Sequence, residues 1–371
     1  MTIMGEQRRP RLREMFDYLH QNPEMSYEEV NTTAYLKKVI EEAGMKVKTF
    51  DDVTGLVVDI GSGDPVVALR ADIDAVYQEV DGKWRPNHSC GHDAHMTIVL
   101  GVLFELHERK SLDRTYRFIF QPAEEKGTGA LALIEKGVVD DVDVLFGMHL
   151  RPIQELRAGE FAPAIQHGAA RFIHGTIRGE DAHGARPHLT ANSIQVGMDL
   201  FHQLNSMQIN PMHPYSAKLT TFHAGGKSPN IIPGSATFSI DVRAQTNETM
   251  EEVISHIERF RSSLETLHNV QIELTTSANV AAAVISTQAE QTLSEAIVSS
   301  VGQKSLKPRL VTTGGDDFHF YTIKNPELKA TMLGVGCDLS PGLHHPHMTF
   351  DHKQMEPAIK ILTEAMTTVD I

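Results

Sequence analysis

Cysteine is nearly absent from this chain: Cys90 and Cys337 are the only two in 371 residues. Two thiols in a chain this long make no disulfide framework, which excludes the small secreted scaffolds, and both are read as reduced. Positive charge is also in deficit. Lys and Arg number 34 against 48 Asp and Glu, a formal net charge of -14. Such a surface repels phosphate backbones and excludes a nucleic-acid partner, although a local cationic pocket can still sit inside an acidic protein. Long hydrophobic runs are missing too. The greasiest stretch, residues 97–106, falls far short of the ~20 apolar residues that a membrane-spanning helix needs. Residues 1–6 are polar and are followed by Arg8 and Arg9, with no apolar segment behind them. No secretory signal is expected, and a cytoplasmic location follows as the expectation. There is no internal repeat and no low-complexity segment.

What is present describes a soluble globular protein, 41% hydrophobic and 22% charged. Its length exceeds what one hydrophobic core usually serves, so two domains are expected. Ser26-Tyr27-Glu28-Glu29 has the form of a capping box, and the helix it opens is predicted to run to about Gly44. Residues 56–60 and 66–71 read as two strands joined by the turn Gly61-Ser62-Gly63-Asp64-Pro65. A helix is predicted over 92–108 with Val99, Val102, Leu103 and Leu106 on one face. Strands follow at 115–120 and 142–146. Asp72 and Asp74, Glu124 and Glu125, and His149 all lie just beyond strand ends, where ligands bind in α/β sheets.

From about Ala170 the pattern changes. Strands at 171–177, 217–222, 236–242 and 270–275 interleave with helices at 192–207 and 248–267. The order β-α-β-β-α-β is the ferredoxin-like split motif. It reads as a domain of residues 169–277 inserted into one made of 1–168 and 278–371. The chain then returns with a helix at 287–301, a strand at 330–335 and a helix at 354–367. The expected fold class is α/β.

The chemistry concentrates in Cys90-Gly91-His92-Asp93-Ala94-His95, Gln121-Pro122-Ala123-Glu124-Glu125 and Gly147-Met148-His149. Thiolate, imidazole and carboxylate are the usual zinc ligands. Adjacent glutamates let one bind metal while its neighbour serves as a base. Cys90-x-His92 by itself is as well explained by a tight turn. Joined to Glu124, Glu125 and His149 at strand exits, it reads as a metal site. His344, in His344-His345-Pro346-His347, is a candidate fifth ligand beyond the last strand. Asp72 and Asp74 are ordinary strand-end caps or carboxylates that orient a ligating imidazole. Composition does not decide the roles of His183, Asn230 or Arg243. Other chemistries fail: Gly226-Lys227-Ser228 has Thr221 where a P-loop needs Gly. No G-x-S-x-G elbow is present, and Gly61-Ser62-Gly63 is not completed into a dinucleotide fingerprint.

Taken together, Arg70-Ala71-Asp72-Ile73-Asp74-Ala75, His88-Ser89-Cys90-Gly91-His92-Asp93-Ala94-His95, the Glu124-Glu125 and His149 segments, His183-Gly184-Ala185-Arg186-Pro187-His188, Asn230-Ile231-Ile232-Pro233 and Leu343-His344-His345-Pro346 give the chain a resemblance. It resembles the di-metal amidohydrolases that include N-acyl-amino-acid, hippurate and auxin-conjugate hydrolases, relatives of the aminoacylases and zinc carboxypeptidases. The resemblance spans nearly the whole chain. It implies a zinc-exopeptidase-like catalytic domain with an inserted lid or dimerisation domain. It implies two divalent ions, zinc by donor type, with manganese, cobalt or nickel also able to occupy the site. Cys90 is then the bridging ligand, and His92, Glu125, His149 and His344 complete the pair of sites. Glu124 is the general base, with Asp74 also in the catalytic set. His183 reaches across a homodimer interface to steady the oxyanion, while Asn230 and Arg243 grip a substrate carboxylate. The implied substrate is a small N-acyl amino acid. The chain departs from the pattern at Val76-Tyr77, where Leu-Pro is usual, at Glu180-Asp181, and at Asp316-Asp317-Phe318. None of these removes a metal ligand. The competing readings are a metallo-carboxypeptidase or dipeptidase, and a non-catalytic metal-dependent binding protein on the same scaffold.

Overall fold

The computed structural model describes residues 4–370, so part of the polar leading stretch read above lies outside the described residues. Two compact units are present. One comprises residues up to 166, 284–311 and from 317 onward; the other comprises 167–283 with 312–316. In chain order the first unit supplies α1 (Met4–Gln21), α2 (Val30–Glu42), β1 (Lys48–Thr49), β2 (Leu56–Gly61), β3 (Val66–Asp72), β4 (Val76–Val80), β5 (Lys83–Asn87), α3 (His92–His107), β6 (Thr115–Gln121), α4 (Gly129–Glu135), β7 (Val144–Pro152) and β8 (Phe161–Ala162). The second unit holds β9 (Ala169–Arg178), α5 (Ser193–Ser206), β10 (Tyr215–Ala224), β11 (Ala236–Ala244), α6 (Asn247–His268) and β12 (Gln271–Val280). The first unit resumes with α7 (Thr287–Val301), α8 (His319–Lys324), β13 (Lys329–Leu339) and α9 (Met355–Thr368).

The first unit is built on a seven-stranded sheet in the order β1-β2-β6-β3-β7-β13-β8. Its centre, β6-β3-β7-β13, is parallel, and antiparallel strands close both edges. A parallel strand covered on both faces reads as a continuous apolar run. β3 shows this, with every residue from Val66 to Asp72 buried. The helix α3 departs from its expected single apolar face. It is buried almost all round, from His92 to Leu106, because it lies between β3 on one side and α1 and α9 on the others. It starts at Gly91, whose φ of +91° favours glycine and whose Cβ would meet Leu150 Cδ1 at 2.8 Å. Two other boundaries move. α2 begins at Val30 rather than Ser26, because the side chains of the expected capping box bond elsewhere. β7 runs on to Pro152, so His149 is a strand residue rather than one beyond it.

The parallel strands run in one direction, so their carboxyl ends share one edge of the sheet. That edge receives Asp72 from β3, Glu124 and Glu125 after β6, and His149 in β7. The chain beyond β13 leads to His344.

The second unit is an antiparallel sheet in the order β10-β11-β9-β12. Both its helices are capped by side chains: Asn192 accepts from Ile194 N, and Thr246 from Thr249 N. Val196, Leu200 and Leu204 of α5 and Val253, Ile257 and Leu264 of α6 are buried in its core. The β-α-β-β-α-β order is that of the ferredoxin-like motif.

Candidate metal centre

Cys90 and His92 flank the left-handed Gly91 at the start of α3, and their ligand atoms enter one buried cluster. Cys90 Sγ lies 3.5 Å from His149 Nε2 and 3.3 Å from His344 Nε2. His344 Nε2 is also 3.3 Å from Glu125 Oε1. His92 Nε2 is 3.9 Å from both Glu124 Oε2 and Glu125 Oε1. Among the described residues five groups of three could hold an ion with all ligand atoms within 4.8 Å of one another, and two of them contain Cys90: Cys90, His92 and His149, and Cys90, Glu125 and His344. Cys90 belongs to both. Ligands at about 2.1 Å around a tetrahedral ion are separated by roughly 3.4 Å, close to the spacings around Cys90.

The imidazoles are turned to present Nε2 to this cluster. His92 Nδ1 donates to the carbonyl oxygen of Asp74 at 2.9 Å. His149 Nδ1 donates to Leu150 O at 2.7 Å. Fixing one ring nitrogen by a hydrogen bond leaves the other as the ligating lone pair. Among the described residues the buried His92 Nε2 has no hydrogen-bond partner, and Glu125 Oε1 has the His344 ring beside it as an ion pair. Under-satisfied polar atoms beside a thiol fit a divalent cation.

Charge tells the same story. Burial pushes the His149 pKa well down and nearby His95 pushes it further, which leaves the neutral ring that metal binding requires. Burial also opposes charging His92, but Asp72, Cys90 and Asp74 overcome it and hold the ring well above its usual value. Contacts to Cys90, then to Glu125, push His344 up to about 10. A site that grips a proton this firmly is a site of strong negative potential.

Behind these candidate ligands stands a network in which sequence reading named Asp72 but not the buried pairing of Arg70 with it. Arg70, fully buried in β3, donates to Asp72 at 2.7 Å, Asp317 at 2.9 Å and Gln121 at 2.8 Å. Burial alone would raise the Asp72 pKa; His92, His95 and Arg70 hold it well below the usual carboxylate range. Asp72 also accepts from His95 Nδ1 at 2.7 Å, and His95 Nε2 accepts from Leu150 N at 3.1 Å. His95 is therefore committed on both sides and is no ligand in this arrangement. The available signal was a charged Arg inside an otherwise apolar strand, which burial allows only if it is paired.

Asp74 sits differently from a group that touches substrate. Its buried carboxylate accepts from Ser26 Oγ at 2.6 Å, Glu124 N at 3.2 Å and Glu125 N at 3.0 Å. Its geometry is that of a residue that shapes the Glu124-Glu125 turn and orients His92.

His183, Asn230 and Arg243 belong to the second unit. His183 and Asn230 are brought together, since residues 182–183 pair with 231–232 and Gly184 N donates to Asn230 O at 2.7 Å. Both are exposed. Arg243 is not with them. It lies near the far end of β11, paired with Asp241 at 2.8 Å and stacked 5.0 Å from the centre of the Phe172 ring. His183 and Asn230 lie beyond the opposite end, next to the turn that enters β11 at Ala236.

Comparisons with known proteins agree with this picture. The model of Peptidase family M20/M25/M40 matches residues 68–368. N-acetyl-L-cysteine deacetylase of Bacillus subtilis (strain 168) is 31% identical over 371 residues, covering 94% of this chain and 85% of that protein. IAA-amino acid hydrolase ILR1-like 4 of Arabidopsis thaliana is 32% identical over 253 residues, 65% of this chain and 57% of that one. The crystal structure of the Bacillus subtilis YXEP protein, described as a dinuclear metal binding peptidase from the M20 family, superposes with a TM-score of 0.83 at 26% identity. The match covers 98% of this chain and 99% of that one. This chain belongs to Peptidase family M20/M25/M40, and it is a hydrolase. Among the described residues no helix is long and apolar enough to cross a membrane.

The His344 environment gives a pH test on chelator-treated protein. The folded-state pKa, about 10, lies above the usual ~6.5 of an unfolded histidine. The folded state therefore binds this proton more tightly. Its contribution to stability is full below pH ~6.5 and is lost as pH rises through about 10. Half-exposure and solvent screening keep that contribution modest. The urea midpoint of the metal-free protein is expected to fall across this window, and His344→Gln should flatten the fall; an unchanged slope in the variant would contradict the assignment.

Proposed function

We propose that the chain is a metal-dependent amidohydrolase that cleaves N-acyl amino acids to a carboxylic acid and a free amino acid. The observation that carries this reading is the sharing of Cys90 between two ligand groups beside the glutamate pair. In this reading Cys90, His92 and His149 would hold one divalent ion, and Cys90, Glu125 and His344 a second. Zinc suits a mixed thiolate, imidazole and carboxylate set, and manganese, cobalt or nickel can replace it. The bound ions supply Lewis-acid polarisation of the amide carbonyl and lower the pKa of water toward ~7.

The remaining steps belong to the chain's own residues. Glu124 takes a proton from water as the water oxygen bonds to the carbonyl carbon. It returns that proton to nitrogen as the C–N bond breaks, so the amine leaves neutral. Asp74 holds both glutamate amides and so fixes where the Glu124 carboxylate points. His183 donates to the oxyanion, a contact typically worth ~2.7–4 kcal/mol of barrier. The guanidinium fork of Arg243 suits a substrate carboxylate.

The second unit supports a homodimer for this chemistry. Ala236 and Arg243 are seven residues apart on one strand, roughly 23 Å at ~3.3 Å per residue. Asn230 precedes the Ala236 end of that strand, which sets it apart from Arg243 of the same copy. In a dimer, His183 and Asn230 of one copy can complete a site that uses Arg243 of the other. On α5, Ile194, Met198 and Phe201 stand exposed at i, i+4 and i+7, an apolar stripe suited to a second copy. Two reduced thiols fit the cytoplasm.

The names N-acetyl-L-cysteine deacetylase and IAA-amino acid hydrolase favour N-acyl amino acids over peptides. A panel of N-acetyl, N-benzoyl and indole-acetyl amino acids set against dipeptides tests this. Turnover is expected on the acylated compounds and should drop ~100- to 10,000-fold in Glu124→Gln. Preference for a free α-amino group would favour the dipeptidase reading, and near-normal activity in the variant would reject the base assignment. Mixing Glu124→Gln with His183→Ala subunits should restore part of the activity. No recovery after verified subunit exchange would refute the shared site.

A further inference from the structure

The sequence Ser26-Tyr27-Glu28-Glu29 has the spacing of a capping box, yet neither end of it caps α2. No side chain caps this helix at Glu29. Ser26 Oγ instead donates to Asp74 Oδ2 at 2.6 Å. The Glu29 carboxylate, fully buried, accepts from Thr54 Oγ1 on one oxygen and from Ala123 N at 2.8 Å on the other. Ala123 is the residue before Glu124, and it holds a left-handed φ of +54° without being glycine.

Three consecutive backbone amides are thus gripped by two buried carboxylates. Ala123 N goes to Glu29, Glu124 N to Asp74 Oδ1 and Glu125 N to Asp74 Oδ2. A left-handed alanine persists only where its surroundings over-determine it. Here the surroundings arrive from about a hundred residues upstream. If the Ala123 amide is released, that peptide can turn, and the direction in which Glu124 leaves the backbone turns with it.

We propose that Glu29 is a positioning residue: it locks the Ala123 peptide in the conformation that aims the Glu124 carboxylate, with Ser26 steadying Asp74 for the same purpose. The role in turnover rests on the reading of Glu124 as the base. The effect on the backbone does not.

Three variants separate positioning from fold maintenance. Glu29→Gln keeps an oxygen for the Ala123 amide, and its NH₂ can donate to Thr54, whose hydroxyl reverses. Burial pushes the Glu29 carboxyl above its ordinary pKa, and Gln is the uncharged replacement of the same shape. Glu29→Asp keeps the carboxylate but is one methylene short of bridging Thr54 and Ala123. Glu29→Ala removes the contact entirely, and should it fail to fold, Glu29→Asp reads the same question. Two experiments are run on folded, metal-reconstituted full-length protein: hydrogen exchange at the Ala123 amide, and steady-state kinetics giving kcat and KM on the best N-acyl amino acid of the panel.

Glu29→Asp and Glu29→Ala should exchange the Ala123 amide much faster than wild type. They should lose roughly 10- to 100-fold in kcat with KM changed less than about threefold, the scale of a small misplacement of a catalytic group. Glu29→Gln should restore both quantities. Wild-type exchange at Ala123 in Glu29→Asp would overturn the proposal, as would a lowered Tm with exchange and kcat intact. If wild type hydrolyses no compound of the panel, the functional reading fails, and the exchange measurement still decides whether Glu29 holds the turn.

Discussion

Crowding of negative charge is the constraint from which the rest of the first unit follows. Asp72, Asp74, Glu124, Glu125 and the Cys90 thiol surround His92 in a space largely closed to water. A buried charge costs several kcal/mol unless it is paired or hydrogen-bonded. The protein answers this in three ways. Arg70 serves Asp72 and Asp317. Backbone amides and Ser26 serve Asp74. Around Cys90 and Glu125 the described residues place the imidazoles of His149 and His344, and the raised pKa of His344 marks a negative potential that a cation fits.

The scaffold delivers these groups by a simple rule. Parallel strands end on one side of a sheet, so segments far apart in sequence meet there. β3, β6 and β7 bring Asp72, the glutamate pair and His149 to one edge, and the left-handed Gly91 turns Cys90 and His92 toward it. Precision comes from the backbone. The Leu150 peptide is clamped between His95 and His149, and the peptides at 123–125 are clamped by Glu29 and Asp74. Side chains gripped through main-chain amides have little freedom to drift, which is what catalysis by positioning requires.

Much of this was legible in the sequence, and the reasons are physical. Strand ends could be read from apolar runs closed by Asp, Gly or Pro, so the candidate ligands could be grouped before any coordinates. The strands and helices of the second unit were legible because they alternate with clear periods. Three things were hidden. The burial of α3 on all sides depends on α1 and α9, which no local window sees. The Ser26 and Glu29 box looked like a helix start because local spacing cannot reveal a better partner 48 or 94 residues away. Asn230 and Arg243 read as a pair from a shared role, but Arg243 lies near one end of β11 while Asn230 precedes the other end, outside that sheet.

The most direct test of the account is metal stoichiometry. Full-length protein is reconstituted with zinc, freed of loose ions and measured by mass spectrometry alongside Cys90→Ala. Two ions per chain in the wild type, with both sites weakened together in the variant, is the outcome that a shared thiol predicts. A wild type that retains no ion, or a Cys90→Ala protein that keeps both with undiminished affinity, would contradict it.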